Sequence, residues 1–164
     1  ETGILAFQAP VGFGPSYHQD PEKTAKAYVR PGAFTLGDMG HIDEEGFIFI
    51  TDRLSDMVVS GGVNLYPSES ENVLREHPGV SEATIIGIPS TDLGEQLLAF
   101  VVPADPLDPP SAEDLQSFCR ERLAAYKIPR RFEYIEELPR NEMQKVDKKL
   151  LRRPYWDENR NIAG

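Results

Sequence analysis

The sequence predicts an α+β fold in which short strands and hairpins alternate with a few helices and build a mixed sheet. Three features carry this expectation. The first 52 residues hold strand-like runs punctuated by glycine, proline and acidic turns. Two runs rich in β-branched residues, 82–88 and 97–102, contain the longest apolar stretches of the chain. Helix-start chemistry recurs between the strands, at Asp20-Pro21, Pro67 and Ser111.

Taken in order, residues 2–9 alternate as a strand does, and Val11-Gly12-Phe13-Gly14-Pro15 is a turn. Asp20 caps a short helix with Pro21 in its first turn, running through Ala25 to Tyr28 and stopped by Arg30-Pro31-Gly32. Residues 33–42 and 47–52 read as two strands around Asp43-Glu44-Glu45-Gly46, a hairpin turn. A second small hairpin joins Met57-Val58-Val59 to Val63-Asn64-Leu65 through Ser60-Gly61-Gly62. Pro67 opens a helix that His77-Pro78-Gly79 ends. The strands 82–88 and 97–102 follow, joined by an acidic loop over 90–96. Ser111 and Asp114 form a capping-box-like start for a helix reaching about Ala125, with Leu115, Phe118 and Cys119 on its apolar face. Residues 132–135 make a last strand and 147–152 a short terminal helix.

Composition narrows the function classes. Seventeen basic against 27 acidic residues give a net charge of −10, which argues against extended nucleic-acid or anionic-membrane binding. The charge is uneven: residues 120–153 carry eleven basic and six acidic side chains, net +5, leaving −15 elsewhere. A local basic surface on an acidic protein suits a small polyanion such as a nucleotide or coenzyme phosphate. One cysteine, Cys119, makes neither an internal disulfide nor a cysteine-based zinc site, and a reducing, cytoplasmic setting is expected. His18, His41 and His77 lie in separate turns without ligand spacing, so no metal site is expected. No apolar run is long enough to cross a bilayer as a helix, and no signal peptide is expected. The opening, Glu1-Thr2-Gly3-Ile4-Leu5-Ala6-Phe7, reads as a strand entered in mid-sheet, and a fragment is expected.

Motifs for a nucleophile elbow, a zinc-protease helix and a Walker loop are missing. What stands out is a set of polar residues beside glycines: Gly37-Asp38, Asp52-Arg53, Ser60-Gly61-Gly62-Val63-Asn64 and Gln144-Lys145. Four stretches in order resemble the AMP-forming acyl-CoA synthetases of the adenylate-forming superfamily. They are Gly37-Asp38-Met39-Gly40-His41-Ile42-Asp43-Glu44-Glu45-Gly46 running on to Asp52-Arg53, Ser60-Gly61-Gly62-Val63-Asn64-Leu65-Tyr66-Pro67-Ser68-Glu69, Tyr126-Lys127-Ile128-Pro129-Arg130, and Leu138-Pro139-Arg140-Asn141 through Lys145-Val146. Each is weak singly; four in the right order, over essentially the whole chain, are specific.

The resemblance implies that residues 1–52 are the β-rich end of a large N-terminal domain, and that residues 53–164 are a small, mobile C-terminal domain beyond a hinge. It implies two half-reactions: a carboxylic acid is activated with ATP to an acyl-adenylate, then the small domain rotates and the CoA thiol attacks. Asp38 matches the aspartate that accepts hydrogen bonds from the ribose hydroxyls, a task for an acceptor-only carboxylate. Arg53 matches the arginine that also reaches the ribose. Lys145 matches the catalytic lysine, contacting the acid carboxylate and α-phosphate as charge develops. Gly61, Gly62 and Val63 match the backbone along which the pantetheine arm of CoA passes. Arg120 and Arg130 are candidates for the CoA phosphates. Mg2+ enters only with ATP, its ligands lying outside this chain.

Departures from the family pattern are Leu36 where threonine is usual, Ser55 at the hinge where aspartate or lysine is usual, and Gln144 in place of the glycine before the lysine. The chain lacks the family's phosphate loop and acid pocket, so alone it is expected to be inactive in adenylation. The expected function is the C-terminal part of an ATP-dependent ligase joining a fatty or aryl acid to CoA. Two alternatives stand beside it: an adenylation domain serving a carrier protein, and a noncatalytic nucleotide- or partner-binding module.

Overall fold

The protein is described here by a computed structural model covering residues 2–10 and 12–156; Glu1, Val11 of the predicted first turn and residues 157–164 lie outside the described residues. The chain divides into two compact units, Glu1–Ser55 and Asp56–Gly164.

In the first unit, strands β1 (Gly3–Gln8), β2 (Tyr28–Arg30), β3 (Ala33–Ile42) and β4 (Ile48–Arg53) form one antiparallel sheet centred on β3. β1 pairs along one edge of β3, from Gly3↔Gly40 to Gln8↔Ala33. β2 and β4 pair with opposite ends of β3. Helix α1 (Pro21–Ala27) starts as predicted, with the Asp20 carboxylate accepting the Lys23 amide at 2.9 Å. It ends at Ala27, one residue before the expected Tyr28. Tyr28 instead enters β2, its ring packing edge-on against Phe34 of the neighbouring strand. The Asp43 side chain closes the β3–β4 turn by accepting from Glu45 and Phe47 amides. Ile42, Phe47, Ile48, Phe49 and Ile50 leave a broad apolar surface exposed.

The second unit is built on a long hairpin, β7 (Val80–Ser90) and β8 (Gly94–Pro103), both strands extending beyond the predicted bounds. The acidic stretch read as a loop therefore shrinks to residues 91–93. Glu95 belongs to the strand because its carboxylate accepts the Val59 amide at 3.3 Å, where β5 (Val58–Ser60) meets β8. β5 also pairs with β6 (Val63–Leu65), and β9 (Arg131–Tyr134) pairs parallel with β8, making the sheet mixed. Helices α2 (Pro67–Arg75), α3 (Ala112–Arg120) and α4 (Lys148–Arg152) cover this sheet, and 3₁₀ turns occupy Leu54–Asp56 and Ala125–Lys127. α3 stops at Arg120, short of the predicted Ala125, with its last turn closed by the Leu123 amide donating to the Cys119 carbonyl.

Why the two central strands are apolar without alternation is plain from their burial. Ile85, Leu97, Ala99 and Val101 face one core with Leu74 of α2 and Leu115 of α3. Ile86, Ile88, Leu98 and Phe100 face a second core, closed by Leu138, Val146 and Leu151. Period-two alternation thus splits one apolar run between two layers, as in any sheet covered on both sides. Leu138 and Val146 of this second layer flank the segment carrying Lys145.

Cys119 is fully buried in the first core, and burial pushes its thiol from 9.0 up to about 11, with Arg122 opposing. The folded thiol is expected to resist disulfide-exchange reagents at pH 8 and to react at once in denaturant. Because its folded pKa is raised, its contribution to stability is present below about pH 9 and lost as pH rises through about 11. Urea unfolding at pH 8 and pH 11, compared with Cys119→Ala, checks the sign.

Candidate functional site

In the first unit, cross-strand pairing brings Asp38 and Arg53 together. They are opposed in the β3–β4 register, and Arg53 Nε lies 3.3 Å from Asp38 Oδ1. Asp38 is largely buried (16% exposed) and Arg53 largely open (61%). A carboxylate held from below by its partner, with the guanidinium still reachable, offers acceptors and donors side by side for a polyhydroxylated ligand. The Asp52 side chain accepts the Arg53 amide at 2.8 Å, fixing the end of the strand.

In the second unit, Gly61 and Gly62 form the two-residue β5–β6 turn at φ +58° and +81°. Positive φ at both positions is the type of turn that favours glycine. The Gly61 amide donates to the Leu93 carbonyl at 2.8 Å, tying the turn to the β7–β8 loop. A side-chain carbon at Gly62 would meet nothing within 4 Å, so that backbone is open to an approaching chain. Val63 follows, 44% exposed.

Lys145 sits on a tight loop that closes on itself. The Asn141 amide donates to the Lys145 carbonyl at 2.8 Å, and the Asn141 side-chain oxygen accepts the amides of Met143 and Lys145. Gln144 adopts φ +61°, the left-handed geometry for which glycine is the usual residue, so the sequence departure there leaves the backbone shape intact. Arg140 spans the loop, donating to the Gln144 carbonyl at 3.0 Å and pairing with Glu82 of β7. A bridge between Arg140 and Val146 completes the ring. Lys145 is exposed.

Arg120 ends α3 and donates to Gln116 within its own helix; Arg130 is exposed where the chain enters β9, its amide bonding the Leu97 carbonyl. Ser55 is exposed in the 3₁₀ turn between the units. The glycine turn, Arg120, Arg130 and Lys145 thus occupy four separate segments. Among the described residues no cluster of three or more His, Cys, Asp or Glu side chains is arranged to hold a metal, and no helix is long and apolar enough to cross a membrane.

Sequence reasoning did not find the charged pairs that fasten the lysine loop. Lys148 Nζ lies 2.8 Å from Glu71 Oε1, and Arg152 Nη2 lies 2.7 Å from Asp56 Oδ1, both pairs mostly buried. Their partners are far apart in the chain, and no local pattern signals them.

Residues 69–145 match the AMP-binding enzyme C-terminal domain. The 2-succinylbenzoate–CoA ligase of Geobacillus kaustophilus is 44% identical over 93% of this chain and 31% of its own length. The fatty acid–[acyl-carrier-protein] ligase ScoC of Streptomyces coeruleorubidus is 44% identical over 85% of this chain and 26% of its own. The ATP-bound crystal structure of MatB from Rhodopseudomonas palustris superposes with a TM-score of 0.85 at 35% identity, over 94% of this chain and 30% of that one. The chain therefore spans about a third or less of the length of the relatives it matches.

Proposed function

From the premise that the chain belongs to the AMP-binding, adenylate-forming enzymes, whose C-terminal domain it carries, we propose that it serves a ligase that adenylates a carboxylic acid with ATP and passes the acyl group to CoA. The observation that carries this reading is the rigid loop presenting Lys145 as an exposed cation. A compact ammonium held there offsets negative charge growing between the acid carboxylate and the α-phosphate, the kind of preorganised electrostatics that accelerates adenylation. In the first unit, Asp38 and Arg53 take the ribose hydroxyls. On this reading residues 1–52 close a larger N-terminal domain, which accounts for the apolar surface around β4, and the small domain begins at Arg53 and pivots at Ser55.

For the second half-reaction, the open backbone at Gly61-Gly62-Val63 takes the pantetheine arm, and Arg120 and Arg130 take CoA phosphates by charge-assisted hydrogen bonds. Mg2+ accompanies ATP and is held outside this chain. The acid is fatty or aryl, and the setting cytoplasmic. A carrier-protein acceptor is the second reading, favoured by the resemblance to the ScoC ligase. Supplying a complete enzyme with acyl-adenylate and either free CoA or a pantetheinylated carrier protein distinguishes them. Thioester on free CoA is the expected product; thioester on the carrier alone overturns the CoA assignment.

A further inference from the structure

We infer that Arg152 is a positioning residue for Lys145, acting through Asp56 to tie the lysine loop to the first residue of the second unit; this rests on the adenylation reading above. Three observations lead there. The loop carrying Lys145 runs directly into α4, whose start is capped by the Asp147 carboxylate accepting from Lys149 and Leu150, while the Asp147 amide donates to the Pro139 carbonyl at 2.7 Å. The loop and the helix therefore move together. α4 is then fastened at both ends: Lys148 pairs with Glu71 of α2, and Arg152 pairs with Asp56. Asp56 follows Ser55, so this second fastening joins the helix to the point about which the domain is proposed to turn.

Packing stability does not account for an arginine at 152. The side chain is only 11% exposed, and its Nε is buried without a hydrogen-bond partner among the described residues. Apolar residues of similar volume in place of both members of such a pair are often neutral or stabilising. What only the arginine supplies is a directional bond of 2.7 Å to Asp56. Leu151, beside it, packs into the second core and holds α4 against the sheet, so removing the charge need not detach the helix. The consequence is a short mechanical path, Ser55–Asp56–Arg152–α4–Lys145. Any rotation begun at Ser55 then carries Lys145 with it as part of one body, without slack accumulating in the loop.

The test uses Arg152→Met, Arg152→Lys and Asp56→Asn/Arg152→Met. In the chain itself, Arg152→Met leaves the Asp56 carboxylate unpaired and is expected to lower the thermal midpoint, whereas Asp56→Asn/Arg152→Met recovers it; in that double variant hydrogen exchange of the Met143, Gln144 and Lys145 amides is expected to quicken several-fold while β7 and β8 amides keep their protection. In a complete enzyme, Arg152→Met is expected to lower kcat for adenylate formation about 10- to 100-fold, since misplacement by about 1 Å costs that order. KM values for acid and ATP stay near wild type, attack of CoA on supplied adenylate is spared, Arg152→Lys restores part of the rate, and the double variant is no worse than the single. Unchanged loop exchange, or uniform loss of protection across the sheet, overturns the inference. A wild-type enzyme that forms no adenylate overturns the adenylation reading instead, and the exchange result still decides whether Arg152 orders the loop.

Discussion

In a complete enzyme carrying this chain, Lys145→Ala lowers the rate of acyl-adenylate formation about 100- to 1,000-fold, the order seen when one preorganised donor is removed from a site of developing charge. Attack of CoA on a supplied acyl-adenylate stays close to wild type, because the proposed thioester-forming face is built on Gly61, Gly62 and Val63, on a different segment. The loop itself survives the change: its ring is closed by backbone groups, the Asn141 side chain and Arg140, none of which involves the lysine ammonium. A thermal midpoint equal to wild type separates lost chemistry from lost structure. Equal loss of both half-reactions would contradict the assignment, as would adenylation unaffected by the substitution.

Glu71→Ala is expected to be strongly destabilising to the second unit. Glu71 is 8% exposed, and its carboxylate accepts from the Thr84 hydroxyl at 3.0 Å, the Ile85 amide at 2.7 Å and Lys148 Nζ at 2.8 Å. It therefore holds α2, β7 and α4 at one point. Alanine leaves a mostly buried ammonium and a buried backbone donor unpaired, a loss of about 3–5 kcal/mol. For a domain of this size that is a fall of roughly 10–20 °C in Tm. Glu71→Met combined with Lys148→Met removes both charges and is expected to recover the part of the loss due to the stranded ammonium, while the Thr84 hydroxyl and Ile85 amide still lack their acceptor. Calorimetry of the three proteins decides it; a Glu71→Ala midpoint within a degree or two of wild type would mean that Lys148 finds other partners.

The contrast between Lys145 and Glu71 shows what a sequence discloses and what it withholds. Lys145, Asp38, Arg53 and the Gly61-Gly62 turn are proposed as site residues because they lie in short stretches that resemble family motifs, where glycine or turn chemistry marks the backbone. The β7–β8 hairpin was legible from its β-branched runs, although its length was underestimated because Glu95 reads as a loop residue until its bond to the Val59 amide is seen. Tyr28 follows a helical pattern locally and joins a strand only through Phe34, its partner across a turn. Glu71–Lys148 and Asp56–Arg152 join residues from opposite parts of the domain, and nothing near either end distinguishes a buried charge from the solvated charges around it. Such pairs are set by tertiary packing, which one sequence does not display.

The central claim, that this chain serves an enzyme that adenylates carboxylic acids, is tested most directly by exchange of labelled pyrophosphate into ATP. The complete enzyme, as wild type and as Lys145→Ala, is assayed with a panel of fatty and aryl acids. Exchange that depends on the acid and collapses in the variant is the expected result. A folded wild-type enzyme that shows no exchange with any acid would contradict the claim and leave a noncatalytic binding module as the better description.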